Sequence, residues 1–178
     1  MRYVVALLLA LLLTGPSAAA QVSLDATQAP VLIAIPTMGM EAPIVPVGLE
    51  EDGAMSAPTD PDTVGWYEFG PGVGGTGNAV LAGHVDWGGS LRLFGYLRWL
   101  VPGDEIVVSD AGGNRLTYRV AWSRLVDAEE SPLDEIFAQG SVEELTLITC
   151  GGTFDQASHQ YLSRLVVRAV REQVDATF

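Results

Sequence analysis

Five side chains in this sequence are of types that do chemistry on a carbonyl centre. They are the single cysteine, Cys150, both histidines, His84 and His159, and two arginines, Arg164 and Arg168, four apart in an otherwise apolar run. A thiolate is a nucleophile, but a thiol reaches that state only beside a cation or base, and acyl transfer also needs a donor for the oxyanion. Either histidine can be the base, and an arginine can be the donor. The run Leu145-Thr-Leu-Ile-Thr-Cys-Gly-Gly152 reads as a strand entering a double glycine, which places the thiol at a strand end beside a loop. A free cysteine also packs as a small buried hydrophobe, and a loop histidine such as His159 is commonly just solvated. The residue types alone leave these uses open.

Composition narrows the field. The chain has 178 residues, 22 acids and 9 bases, for a net charge of −13, and all nine bases are arginine. So acidic a chain lacks the basic footprint that phosphate-backbone binding requires, and no nucleic-acid partner is expected. One cysteine excludes an intramolecular disulfide framework and a multi-cysteine zinc site. At 48% hydrophobic and 17% charged residues, the chain is a folded domain rather than a disordered one.

The elements that must position these residues are short strands. Val31–Ile35 and Ala42–Val47 are apolar, β-branched and closed by Pro or Gly. Residues 50–63 read as an acidic loop, and a glycine-rich turn at Gly70–Gly77 leads into Ala79–Val85. Asp104–Ser109 and Arg115–Trp122 flank Asp110-Ala-Gly-Gly-Asn114, a hairpin signal. Leu145–Cys150 and Tyr161–Val170 are the last strands. Helix is scarce: Leu91–Leu97 is a weak candidate, and Ser131-Pro132 before Leu133–Ala138 reads as a capped short helix. This pattern predicts an all-β barrel or sandwich. Gly72-Val-Gly74-Gly75-Thr-Gly77 satisfies a dinucleotide fingerprint, but an extended apolar run follows it where a helix is required, so it reads as a turn.

Residues 1–20 are read apart from the fold. Arg2, the apolar run Tyr3–Leu13, the breakers Gly15 and Pro16, and Ala18-Ala19-Ala20 have the layout of a secretory signal, although an uncleaved membrane anchor fits as well. Residues 21–30 read as a linker and 31–178 as the catalytic domain. Either reading of the N-terminus places the domain outside the cytoplasm, membrane-anchored or secreted.

The segment Thr146-Leu-Ile-Thr-Cys150 resembles the Thr-Leu-x-Thr-Cys signature of sortases, the cysteine transpeptidases of bacterial cell surfaces. Ala82-Gly-His84-Val-Asp86 upstream and Tyr161-x-x-Arg164 downstream complete the family's His…Cys…Arg order. Pro43-Ile-Val-Pro46-Val-Gly48, Gly65-Trp66-Tyr67, the same Ala82-Gly-His84-Val-Asp86 run and Cys150-Gly-Gly152 are similar to the class F branch. The resemblance covers about residues 30–170 and implies an eight-stranded β-barrel with one or two short helices. It implies that Cys150 attacks the carbonyl after threonine in a Leu-Pro-x-Thr-Gly-like sorting signal of a surface protein. An amine from a cell-wall precursor or another protein then resolves the acyl-enzyme. His84 is the implied acid and base, and Arg164 the implied oxyanion ligand, with Arg168 left as a surface residue. Alternation puts Thr146 and Ile148 on the face of Cys150, and Ala82 on that of His84. The resemblance implies that such positions line the groove for the signal's leucine and proline, while ordinary core packing is the other reading for Ile148 and Ala82. The stretch between residues 126 and 140 is expected to wall that groove, with Ile136 or Phe137 in apolar contact.

No cofactor or metal is implied. Glu50-Glu-Asp52 and Glu129-Glu130 lack the spacing of a dedicated calcium loop and read as solvated. The competing readings are a secreted cysteine peptidase or other Cys–His hydrolase, and a non-catalytic β-barrel binding module. A papain-like site would have to use His159 and lacks its Cys-Gly-Ser-Cys context, and the Ser-His-Gly-Cys block of L,D-transpeptidases is absent.

Overall fold

The structure, a computed structural model, describes residues 28–129, 132–138 and 140–172. The expected leader, residues 1–20, lies outside the described residues. Eight strands close into a barrel: β1 (Pro30–Ile35), β2 (Met40–Val47), β3 (Val64–Tyr67), β4 (Gly77–Ala82), β7 (Glu105–Asp110), β8 (Arg115–Asp127), β9 (Glu143–Asp155) and β10 (Gln160–Arg171). Their order around the barrel is β1-β2-β3-β4-β9-β10-β8-β7. A small hairpin, β5 (Asp86–Trp87) and β6 (Ser90–Leu91), stands outside it. Helical structure is slight: one α-turn, α1 (Leu133–Ile136), and 3₁₀ segments at Pro36–Met38 and Leu93–Trp99.

The expected barrel is therefore present, and the period-2 pattern explains its core. Ile33 and Ile35, Ile106 and Val108, Leu116, Tyr118 and Val120, Leu145 and Leu147, and Val167 and Ala169 alternate inward and are buried. Phe94 and Leu97 of the second 3₁₀ segment join this cluster, so that segment sits where the weak helix Leu91–Leu97 was expected, with helical residues shifted to Leu93–Trp99. The segment lies close against the chain that follows β4: a Cβ on Gly95 would come within 2.2 Å of the Val85 carbonyl, and one on Gly83 within 2.8 Å of the Phe94 ring. Tyr118 is fully buried, and burial pushes its phenol far above the ordinary value. The Glu143 carboxylate that accepts its hydrogen bond at 2.5 Å adds to the shift.

One local expectation is corrected. Cys150 does not end a strand, because β9 continues through Gly151 and Gly152 to Asp155 and stays paired with β10. The glycines are needed for passage rather than for termination. Gly152 has φ +73°, and a Cβ on Gly151 would fall 2.9 Å from Leu125.

Candidate active site

Inward alternation on one set of positions sends the intervening residues outward. On β4, β9 and β10 the outward set comprises Asn78, Val80 and Ala82; Thr146, Ile148 and Cys150; and Arg164, Val166 and Arg168. The register aligns them. Strands β4 and β9 pair in parallel with Val80 opposite Thr146 and Ala82 opposite Ile148, and β9 and β10 pair antiparallel with Cys150 opposite Arg164. Directly opposed residues share a face with their Cβ atoms about 5 Å apart, so Arg164 stands beside the thiol.

One end of this outer face is covered and the other is open. Asn78, Val80, Thr146, Val166 and Arg168 are buried, while Ala82, His84, Ile148, Cys150 and Arg164 are only half-buried. These last five bound a cavity of about 820 Å³, walled further by Ile136 and Phe137 and by the chain from Leu49 to Ala57. Cys150, His84, Arg164, Ala82 and Ile148 thus border one cavity, and the segment after β8 walls it through Ile136 and Phe137. Thr146 is the exception. It lies fully buried beneath that wall, donating its hydroxyl to Asn78 Oδ1 at 2.8 Å, and does not border the cavity.

His84 follows the end of β4, whose exit is tied to β9. The Gly83 amide donates to the Ile148 carbonyl at 3.1 Å, and the Thr149 hydroxyl donates to the Gly83 carbonyl at 2.8 Å. The imidazole is oriented on two sides, by Nε2 at 2.8 Å from the Pro58 carbonyl and by the edge of Trp87, 4.9 Å between centroids. A carbonyl can only accept, so Nε2 carries a proton and Nδ1 is the nitrogen left for exchange. The guanidinium of Arg164 donates from Nη1 to the Tyr161 and Ser163 carbonyls at 3.1 Å each, and no carboxylate pairs with it among the described residues. His159 borders neither this cavity nor the next. It stands in the β9–β10 turn at φ +54°, its ring against Phe154.

A second cavity, of about 610 Å³, reaches Cys150 from the other side of the strand. Val85, Phe94, Leu125, Leu165 and Phe154 make it largely apolar, with Arg98, Thr149 and Tyr161 among its polar members. Tyr161 donates its hydroxyl to Asp86 Oδ2, joining β10 to the small hairpin that follows His84. This hydrogen bond raises the phenol's pKa first, with burial and the negative charge of Asp86 adding to it. The contribution of the contact to stability is complete below the ordinary phenol range and fades as pH rises through the raised value. Asp86→Asn is expected to bring the Tyr161 phenol back toward its ordinary value, read as phenolate absorbance in a pH titration, with Tyr161→Phe identifying the signal. An unchanged midpoint would show that Asp86 does not hold that proton.

Two features were not foreseen from the residues. Arg168, expected on the surface, is 5% exposed, because the 132–138 segment folds over it. Its Nη1 donates to Glu144 Oε2 at 2.6 Å and its Nη2 to the Glu135 carbonyl at 2.8 Å. The loop at 50–63, given no part in the site by its residues, contributes to the cavity through Met55 and Ala57, and Leu49 and Met55 pair as an isolated bridge. The one available signal was that apolar pair flanking an acidic turn.

The Sortase domain family matches residues 33–172. Among solved structures the chain is similar to a lid mutant of sortase A from Corynebacterium diphtheriae, at 26% identity over 82% of this chain and 72% of that one, with a TM-score of 0.63. Sortase C from Clostridium perfringens SM101 shares 23% identity over 82% and 71% of the two chains, TM-score 0.61. Sortase C-1 from Actinomyces oris shares 24% over 81% and 72%, also at 0.61. No curated protein matches the chain.

Proposed function

This chain belongs to the sortase family of cysteine transpeptidases, and on that premise we propose that it cleaves a Leu-Pro-x-Thr-Gly-like sorting signal after threonine and hands the protein to an amine of the cell envelope. The observation that carries this reading is the meeting of Cys150, His84 and Arg164 on one cavity with an apolar wall. The Cys150 thiolate adds to the threonine carbonyl carbon. The tetrahedral oxyanion is stabilised by Arg164, whose guanidinium is anchored on one nitrogen and free of any described carboxylate. As the C–N bond breaks, imidazolium His84 gives its proton to the departing amine, leaving a thioester. The acceptor amine loses a proton to His84 as it attacks, and the thiolate departs. Ala82, Ile148, Ile136 and Phe137 offer apolar contact to the leucine and proline of the signal, and the second cavity gives the acceptor a separate approach to the same sulfur.

The motifs Pro43–Gly48, Ala82–Asp86 and Cys150–Gly152 support a class F assignment. Residues 1–20 act in this reading as a secretory signal or anchor that delivers the domain to the cell surface. Among the described residues no helix is long and apolar enough to cross a membrane. The deciding experiment is incubation of the protein with a quenched Leu-Pro-x-Thr-Gly peptide, with and without an added amine. Cleavage with amine-dependent product is expected. No turnover on any sorting peptide would favour a non-catalytic binding module.

A further inference from the structure

The wall of the larger cavity is an unusual structure to rest specificity on. Its helical part, α1, is a single turn, and Phe137 follows it directly. A turn this short does not hold its shape in water, since nucleation outweighs one turn's hydrogen bonds. The last carbonyls of any helix also lack partners within it. Here two consecutive carbonyls at the end of α1 are captured by side chains from the barrel's outer face. Arg168 Nη2 donates to the Glu135 carbonyl at 2.8 Å, and Asn78 Nδ2 donates to the Ile136 carbonyl at 2.6 Å.

Both donors are themselves immobilised. Asn78 is fully buried, and its Oδ1 accepts from the Thr146 hydroxyl. Arg168 is held through Nη1 by Glu144, and its guanidinium lies 5.6 Å from the centre of the Trp122 ring. The outer side of the turn is braced by the Arg124–Glu135 ion pair, with Arg124 stacked at 4.6 Å on the same tryptophan. The clamp therefore links rigid strands β4, β9 and β10 to the two residues, Ile136 and Phe137, that border the cavity. Phe137 then meets Tyr67 of β3 edge-on at 5.3 Å, across the opening.

We propose that Arg168 and Asn78 are positioning residues for the donor substrate: by holding the Glu135 and Ile136 carbonyls they set the Ile136–Phe137 wall against which the apolar part of the sorting signal binds. Neither touches the reacting atoms. The inference rests on the donor-cavity reading above and deepens it. Loss of the clamp thus weakens substrate capture while the thiol and its histidine stay in place.

The test is a double-mutant cycle in the quenched-peptide assay. Arg168→Gln is expected to raise KM roughly ten- to hundredfold, the span that loss of a few apolar contacts covers, with a far smaller change in kcat. Alkylation of Cys150 by iodoacetamide should keep its wild-type rate. Phe137→Ala should raise KM alone, and the double variant should be little worse than either single one, because both changes remove the same wall. Additive effects, or an unchanged KM in folded Arg168→Gln, would overturn the proposal. If that variant does not fold, Arg168→Lys carries the test. It keeps the charge facing Glu144 but lacks the fork that spans to the Glu135 carbonyl, and the same KM rise is expected. Amide hydrogen exchange over residues 132–138 reads the clamp without turnover. Faster exchange there than in wild type is expected, and equal exchange refutes the clamp even if no sorting peptide proves to be a substrate, which would refute only the proposed function.

Discussion

Cys150→Ala is expected to abolish both cleavage of a sorting peptide and transfer to an amine, by roughly 10⁴-fold or more, while leaving the fold intact. The reasoning starts from position. Cys150 lies on the outer face of β9, half-buried, with cavities on either side, and the barrel core is built from inward residues of that strand such as Leu145 and Leu147. Removing one sulfur from an outward, open position costs little packing, so thermal unfolding should move by only a few degrees. Chemistry has no substitute, since no other cysteine exists in the chain. Peptide binding should survive, because the apolar lining is untouched. The measurement is turnover alongside peptide affinity by fluorescence anisotropy. Turnover retained by a folded Cys150→Ala protein would remove the covalent mechanism altogether.

The second large effect separates the two histidines. His84→Ala is expected to lower kcat/KM by about 10²–10⁴-fold, the usual cost of losing a positioned acid–base group. His159→Ala is expected to change it less than about twofold, as for a side chain that makes no contact with the reacting groups. The contrast follows from geometry: His84 borders the cavity that holds Cys150, oriented by the Pro58 carbonyl and Trp87, whereas His159 borders neither cavity. Cleavage that survives the first substitution and fails with the second would reverse the assignment and revive a peptidase that uses the β9–β10 turn.

What could be read in the residues was what local pattern determines. The alternation of Leu145, Leu147 and Thr149 with Thr146, Ile148 and Cys150 needs only a period of two, and it places the thiol on the outward face with Thr146 and Ile148. Seven of the eight barrel strands and the hairpin at Asp110–Asn114 follow from equally local turn chemistry, with Gly113 at φ +86° and the Asp110 carboxylate accepting from the Asn114 amide, whereas the short β3 carries no such local signal. What could not be read depends on segments brought from elsewhere. Thr146 was placed on the right face, but whether that face is open is decided by α1, ten residues and more away along the chain. Arg168 looked like a solvated residue until Glu144 and the Glu135 carbonyl closed around it. The double glycine after Cys150 reads as a stop, yet β10 supplies a pairing partner as far as Asp155, and strand preference yields to that pairing.

The parallel pairing of β4 with β9 carries a further consequence, for the quality of any preparation of this protein. His84 leaves β4 and Cys150 lies within β9, so their approach depends on Ala82 standing opposite Ile148. A slip of one residue would turn the outward set of one strand into the core while burying little less apolar surface, since Val80 and Leu81 are both hydrophobic. Two side-chain contacts oppose it, Thr146 to Asn78 and Thr149 to the Gly83 carbonyl, one on each face of β9. Molecules that miss this register would be compact and soluble yet silent. A thiol titration would count them and an active-site titration would not, so the ratio of the two measures how faithfully the barrel has closed.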